Sequence, residues 1–298
     1  LPFAAGYFLS YLYRTANAVI GPVLARELQL GDNALGLLTS TYFLAFGAAQ
    51  LPLGMLLDRF GPRRVEATLL MLAAAGATVF ALSDALGSLA TGRALIGLGV
   101  SACLMASFKA FAQWFPPERQ ASLTGWIMAS GGLGALAASK PLELALGFAS
   151  WREIAIALAV TTLLVAAALW HFVPDKASED NGAGFAAQLA GVKSIFTDAH
   201  FWRYAPMGFW FTGGFMAVQG LWASRWMTEG MDRSAIADRL TWISAAMLLG
   251  FLFMGFFATA LVRRGFKLEK IYFGAMVLAI AALATISSFP TFAGNWLW

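Results

Sequence analysis

Three basic side chains, Arg14, Lys109 and Lys140, stand within or near long apolar stretches of this sequence, and no carboxylate stands at comparable depth. Such a set can hold an anion, because unpaired bases in a low-dielectric cleft attract negative charge. Arg14 is the best placed, in the run Tyr11-Leu12-Tyr13-Arg14-Thr15-Ala16-Asn17. About twelve residues at ~1.5 Å each put it roughly 18 Å along a helix begun at the start of the chain. A charge that deep in a bilayer is costly unless it faces a cavity and a partner. Its planar fork suits a carboxylate, and Asn17 adds an amide close by. Lys109 and Lys140 either join Arg14 at a cavity or snorkel to opposite interfaces. Gln219 and Trp222 are the polar and aromatic cavity candidates later in the chain. The acids fall in connections or at helix ends, with Glu143 the deepest. Enzyme chemistry would need a nucleophile and base, or a metal cluster, inside the stretches. His171 and His200 are isolated and Cys103 is the single cysteine, so the reading is not an enzyme, with no cofactor, metal or disulfide.

The elements that position these residues follow from composition. The chain is 59% hydrophobic and 12% charged over 298 residues, with a mean hydropathy of +0.69. A soluble domain keeps roughly 25% charged residues, so the solvent here is a bilayer. Segments 33–57, 67–83, 120–139, 154–174, 204–224, 240–262 and 271–298 carry no charge. Two more, near 2–24 and 87–112, carry Arg14 and the pair Arg93 and Lys109. Each is long enough for a spanning helix of about 20 residues. They are too long and too uniformly apolar for barrel strands. Nine spans result, with 291–298 opening a tenth. The polar, glycine-containing segment 175–201 reads as a linker between a first half, 1–174, and a second, 202–298.

The net charge of +4 does not indicate nucleic acid, because the bases cluster in short connections between spans. If the loop after the second span is cytoplasmic, that side carries Arg59, Arg63, Arg64, Arg119, Lys176, Lys193, Arg203, Arg263, Arg264, Lys267 and Lys270. The opposite side carries Arg26, Arg152, Arg225, Arg233 and Arg239. Eleven against five places the N-terminus in the cytoplasm.

Gly54-Met55-Leu56-Leu57-Asp58-Arg59-Phe60-Gly61-Pro62-Arg63-Arg64 resembles motif A of the major facilitator superfamily, departing from it at Pro62. Here Gly54 is expected to permit close helix approach and Gly61 a tight turn. Asp58, near a helix C-terminus, needs a cation or a neighbouring helix N-terminus. The resemblance gives Asp58 a part in a charge network at the cytoplasmic face. Arg263-Arg264-Gly265 lies where a decayed second copy is expected, with Gly265 placed like Gly61. Arg93, Gly97 and Gly99 match the Arg-x-x-x-Gly-x-Gly of motif B; Arg93 is either an interfacial snorkeller or a conformational and coupling residue. Trp114-Phe115-Pro116-Pro117-Glu118-Arg119 and Trp151-Arg152 resemble the end of helix 4 and the start of helix 6. Gly125 and Gly131-Gly132-Leu133-Gly134 resemble motif C without its proline, which argues against the drug-antiporter branch. Tyr11-Leu12-Tyr13-Arg14 and Asn17 resemble the helix 1 pattern of the organophosphate and anion-cation symporter branches, whose arginine binds an anionic substrate group.

The resemblance implies an all-α integral membrane protein with an MFS-type fold: a six-helix N-terminal bundle and a partial C-terminal bundle, a fragment of twelve helices. The implied function is secondary active transport of a small organic anion by alternating access, in a monomer of the bacterial inner membrane. A proton or sodium ion is a candidate co-substrate. Two alternatives stay open, a proton-coupled drug or cation exporter and a transporter-like sensor.

Overall fold

A computed structural model describes residues 1–174, 191, 193–227, 232–265, 273–274, 276–278, 280–282 and 284–285. Most of the linker and of the ninth span, with Lys176, Lys267 and Lys270, lies outside the described residues. Among the described residues regular structure is entirely helical. The chain forms α1 (Pro2–Glu27), α2 (Asp32–Ala81), α3 (Leu86–Gly99), α4 (Cys103–Trp114), α5 (Pro117–Ala137), α6 (Lys140–Ala145) and α7 (Trp151–Phe172). A stretch from Ala199 to Met227 follows, then α11 (Arg233–Arg263).

At 50 residues, α2 would run ~75 Å if straight, far beyond a ~30 Å hydrocarbon core. It breaks at Gly61, whose φ of 77° and ψ of 161° lie in a region that side chains with a Cβ rarely adopt. Pro62 follows and donates no backbone hydrogen bond. The element is therefore two antiparallel spans joined at motif A. Gly265, after α11, has φ 88°; these are the two positive-φ glycines among the described residues. The decayed copy thus keeps the backbone device although it lost the acid.

By length and hydropathy, three described helices suffice to cross a membrane: Asp32–Ala81, Leu86–Trp114 and Trp151–Phe172. The last opens on a capping box, with Ser150 and Glu153 satisfying each other's backbone N–H groups. It presents Leu163, Leu164 and Trp170 outward, as a lipid-facing surface requires. α1 misses that hydropathy because it carries Ser10, Tyr11, Tyr13, Arg14, Thr15 and Asn17. It tolerates them because every residue from Leu9 to Gly21 is buried by protein. A helix buried all round is a core helix, and α1 packs against α5, α7, α4 and α2.

Span 7 is irregular. α8 (Ala199–Gly208) runs into a π turn at Phe209–Gly213, then α9 (Gly214–Ala217), a second π turn at Val218–Trp222 and α10 (Ala223–Met227). Such bulges often mark functional sites, and the second one packs on α1. At the end of the molecule away from motif A, the junction of α5 and α6 meets α11 through polar contacts. Ser139 and Ser244 share a 3.1 Å hydrogen bond, and the Lys140 backbone N–H donates to the Thr241 hydroxyl at 3.0 Å.

The orientation has a direct test. After replacement of Cys103, a cysteine at Gly87 is expected to react with an impermeant thiol reagent added outside intact cells, and a cysteine at Arg63 is expected to be spared. The reverse labelling pattern would invert the topology.

Candidate functional site

The site is built on α1. Arg14 is 5% exposed, its guanidinium lying 4.6 Å from the Tyr11 ring and 5.0 Å from the Phe46 ring. Both are cation–π distances. The Arg14 side chain also interacts with Tyr42, while its Nε–H has no hydrogen-bond partner. Around it, polar side chains are tied to neighbouring helices. The Asn17 amide donates to the Thr39 hydroxyl at 2.7 Å, and the Tyr13 hydroxyl meets Thr162 at 3.0 Å. Asn17 is therefore engaged with α2, one turn beyond Arg14.

Arg93 of α3 is 4% exposed and does not snorkel. Its Nη1 donates to the Tyr13 carbonyl at 3.2 Å, and its guanidinium lies 4.6 Å from the Tyr42 ring centroid. The motif B glycines explain how α3 comes so close. A Cβ at Gly97 would collide with the Tyr42 backbone, and one at Gly99 with the Ala73 backbone. In contrast, Gly54 has no atom within 4 Å of where a Cβ would stand. The expected close approach at motif A is thus found at motif B instead. The small residues of span 5 serve the same end: a Cβ at Gly131 would lie 2.6 Å from Tyr7 and one at Gly132 2.8 Å from Leu248.

The two lysines are not unpaired bases. Lys109 forms an ion pair with Asp58, so the motif A acid finds the cation it needs, from α4. Lys140 lies 3.2 Å from Asp238 and 3.5 Å from Glu143, and donates to the Ser234 hydroxyl at 2.6 Å. Each lysine has its anion within the protein, so neither adds free positive charge to a common site. In the rest of motif A, Arg63 donates to the Val173 carbonyl at 3.0 Å and lies over Trp170. Arg59 lies over Phe60, and Arg64 is engaged as well.

From the second half, Gln219 is 5% exposed and lines a cavity of about 10 Å³ with Thr15, Ala18, Ser139 and Ser244. That is the limit for a single water. Its amide contacts the Met247 sulfur at 3.2 Å. Trp222 is 51% exposed on the outer side of the π turn and does not line this cavity. A larger cleft, about 400 Å³, opens between α1, α2 and α10 and is lined by Arg26, Asp32, Leu221 and Ser224 among others.

One buried acid escaped the charge count. Glu66 is fully buried against Gly6 of α1, and neither carboxyl oxygen has a well-formed hydrogen bond. The Cys103 thiol, a weak donor, is the polar side chain that meets it. The charge count placed Glu66 at a span edge, beside Arg63 and Arg64. Helical spacing gives it away, because Glu66, Leu70, Ala73, Ala77 and Phe80 form one buried stripe. The described residues contain no cluster suited to a metal ion.

Known proteins bear on this geometry. At 26% identity over 175 residues, the chain is similar to a probable sulfoacetate transporter of Cupriavidus necator, covering 58% of this chain and 41% of that protein. It is 28% identical over 147 residues to the hexuronate transporter of Escherichia coli, covering 49% and 34%. To a nitrate/nitrite transporter of Nostoc punctiforme it is 26% identical over 261 residues, covering 82% and 49%. The chain thus spans about a third to a half of these relatives' length. The fold matches a D-xylose-proton symporter with a TM-score of 0.69 at 16% identity, over 100% of this chain and 76% of that one. A bacterial homologue of the human lysosomal transporter Spinster, inward-facing and unoccupied, matches at 0.67 and 18%, over 89% and 62%. Residues 3–298 match the Major Facilitator Superfamily. With the motif A hinge at Gly61, the motif B contacts at Gly97 and Gly99 and this match, the chain belongs to the Major Facilitator Superfamily, a family of membrane transporters and not of enzymes.

Proposed function

We propose that this protein is a secondary active transporter that moves a small organic anion through a site at Arg14. The observation that carries the reading is a buried guanidinium in a core helix, faced by two aromatic rings and with no carboxylate among its described partners. A buried charge left so needs an anion from elsewhere. The named substrates of its relatives, sulfoacetate, hexuronate and nitrate or nitrite, are anions. In this reading Asn17, one turn beyond Arg14 on α1, and Gln219, on the π turn packed against α1, contribute polar groups to the same region.

In this reading residues 1–174 form the first bundle, 175–201 a cytoplasmic linker and 202–298 the opening helices of a second bundle, in a twelve-helix monomer of the bacterial inner membrane. The bundles rock about the site, and the contacts of Lys140, Ser139 and Ser244 hold one end closed. The second reading, a proton-coupled exporter of cations, is favoured by Glu66, a buried acid that could carry a proton.

Uptake into proteoliposomes separates them. Radiolabelled carboxylates and sulfonates are expected to accumulate, and organic cations are not. Accumulation of cations alone would sink the anion reading in favour of the exporter. Anion binding without flux would instead leave a sensor.

A further inference from the structure

Tyr42 stands between two arginines. Arg14 interacts with its side chain, and the Arg93 guanidinium lies 4.6 Å from its ring centroid. Both arginines are at least nine-tenths buried. Arg93 spends one N–H group on the Tyr13 carbonyl, while its Nε and Nη2, like the Nε of Arg14, have no hydrogen-bond partner. Two like charges flanking one ring in a low-dielectric interior repel each other and are poorly solvated. Among the described residues neither Arg14 nor Arg93 is in an ion pair. Glu66, the one buried acid described, touches α1 at Gly6, about 12 Å along the helix from Arg14. Tyr13 offers Arg93 a carbonyl rather than a carboxylate, and turns its hydroxyl to Thr162. The missing negative charge therefore amounts to two, and its donors-in-waiting are the unpartnered N–H groups of both arginines.

We propose that Arg93 is a second anion-binding residue, and that the site it forms with Arg14 across Tyr42 selects doubly charged anions over singly charged ones of the same shape. The proposal rests on the anion-transport reading above and names its substrate class: compact organic dianions, with two carboxylates or a carboxylate and a sulfonate. One anionic group meets the fork of Arg14 and the other reaches the free Nε and Nη2 edge of Arg93. A role for Arg93 limited to bracing the Tyr13 carbonyl would affect all ligands alike, so a ratio is the diagnostic measurement.

The test measures binding by calorimetry to detergent-purified full-length protein at neutral pH. The probes are matched pairs, succinate with its monoamide and malonate with its monoamide, each pair alike in size and differing by one charge. Wild type is expected to prefer the dianion of at least one pair by about ten-fold or more, the scale of one charge-assisted hydrogen bond. Arg93→Gln should lower dianion affinity by that factor and leave the monoamide within a few-fold, so that the preference disappears. Arg14→Gln should weaken both members of the pair. If Arg93→Gln cannot be purified, Arg93→Met, of similar length and without polar atoms, is measured for the same ratio. Absence of any anion binding to wild type defeats the anion-transport reading and this proposal with it. Anion binding with no preference for the dianion, or a preference that survives loss of the Arg93 charge, overturns the role of Arg93 alone.

Discussion

Arg14→Ala is expected to weaken binding of the best anion by ten- to a hundred-fold, with little effect on folding. The lost interaction is a charge-assisted hydrogen bond, worth about 1.5–3 kcal/mol. Its effect on stability has two opposing parts. The variant loses contact with the Tyr11 and Phe46 rings, at 4.6 and 5.0 Å, each worth roughly 0.5–2 kcal/mol. It also removes a buried cation whose Nε–H lacks a partner, and relieving that is favourable by about 1–3 kcal/mol. The two nearly offset, whereas the loss of the anion contact has no counterweight. Insertion is not at risk, because a more apolar α1 enters the bilayer more readily. Arg14→Lys is not expected to restore binding. A lysine keeps the charge but not the planar fork, and is more strongly hydrated. Calorimetry on purified protein across carboxylates, sulfonates and neutral sugars checks both variants. Wild-type affinity for the best anion in Arg14→Ala would remove Arg14 from the site.

How much of this was legible in the sequence depends on the distance over which each feature is decided. The helices follow from charge-free runs, because lipid admits no unsatisfied backbone. The hinge at Gly61 followed from a local pattern, and so did its counterpart at Gly265, where both the basic pair and the positive φ survive. Arg14 stood out because a charge so far along an apolar stretch has few harmless explanations. What could not be read is what faces what. Lys109 looked free because Asp58 is 51 residues away, and only the packing of α2 on α4 joins them. Lys140 waits on Asp238 of α11, far along the chain. Trp222 and Gln219 sit three residues apart on one π turn. A periodicity of 3.6 does not predict which of them points inward there, and the structure buries Gln219 and exposes Trp222. Glu66 is different, since its buried stripe was readable. Counting charges between spans hid it, because the third span starts directly after Gly61 and not after the last arginine.

Gly97→Ala should damage both the fold and the site, although it adds only one uncharged methyl group. That methyl would stand against the backbone carbonyl of Tyr42, an atom fixed by the helix it belongs to and unable to turn aside as a long side chain can. α2 and α3 would have to separate, and overpacking of this kind typically costs 1–3 kcal/mol. Against it, alanine is favoured over glycine within a helix by about 0.5–1 kcal/mol, so the steric term wins. The displaced residue matters as much as the energy, because Tyr42 meets Arg14 and Arg93 and also stacks on Phe46 at 6.3 Å. Moving its backbone changes the spacing of both arginines together. Gly97→Ala is therefore expected to lower the melting temperature and to weaken anion binding at temperatures where the protein is still folded. Gly54→Ala is the control: it is a motif glycine on the same α2, and open space surrounds the added methyl. Its stability should equal that of wild type or exceed it slightly. Thermal unfolding followed by size exclusion, with anion affinity measured well below the transition, tests the pair. Equal melting temperatures and affinities for the two variants would mean that the close contact of α3 with Tyr42 does not hold the site in place.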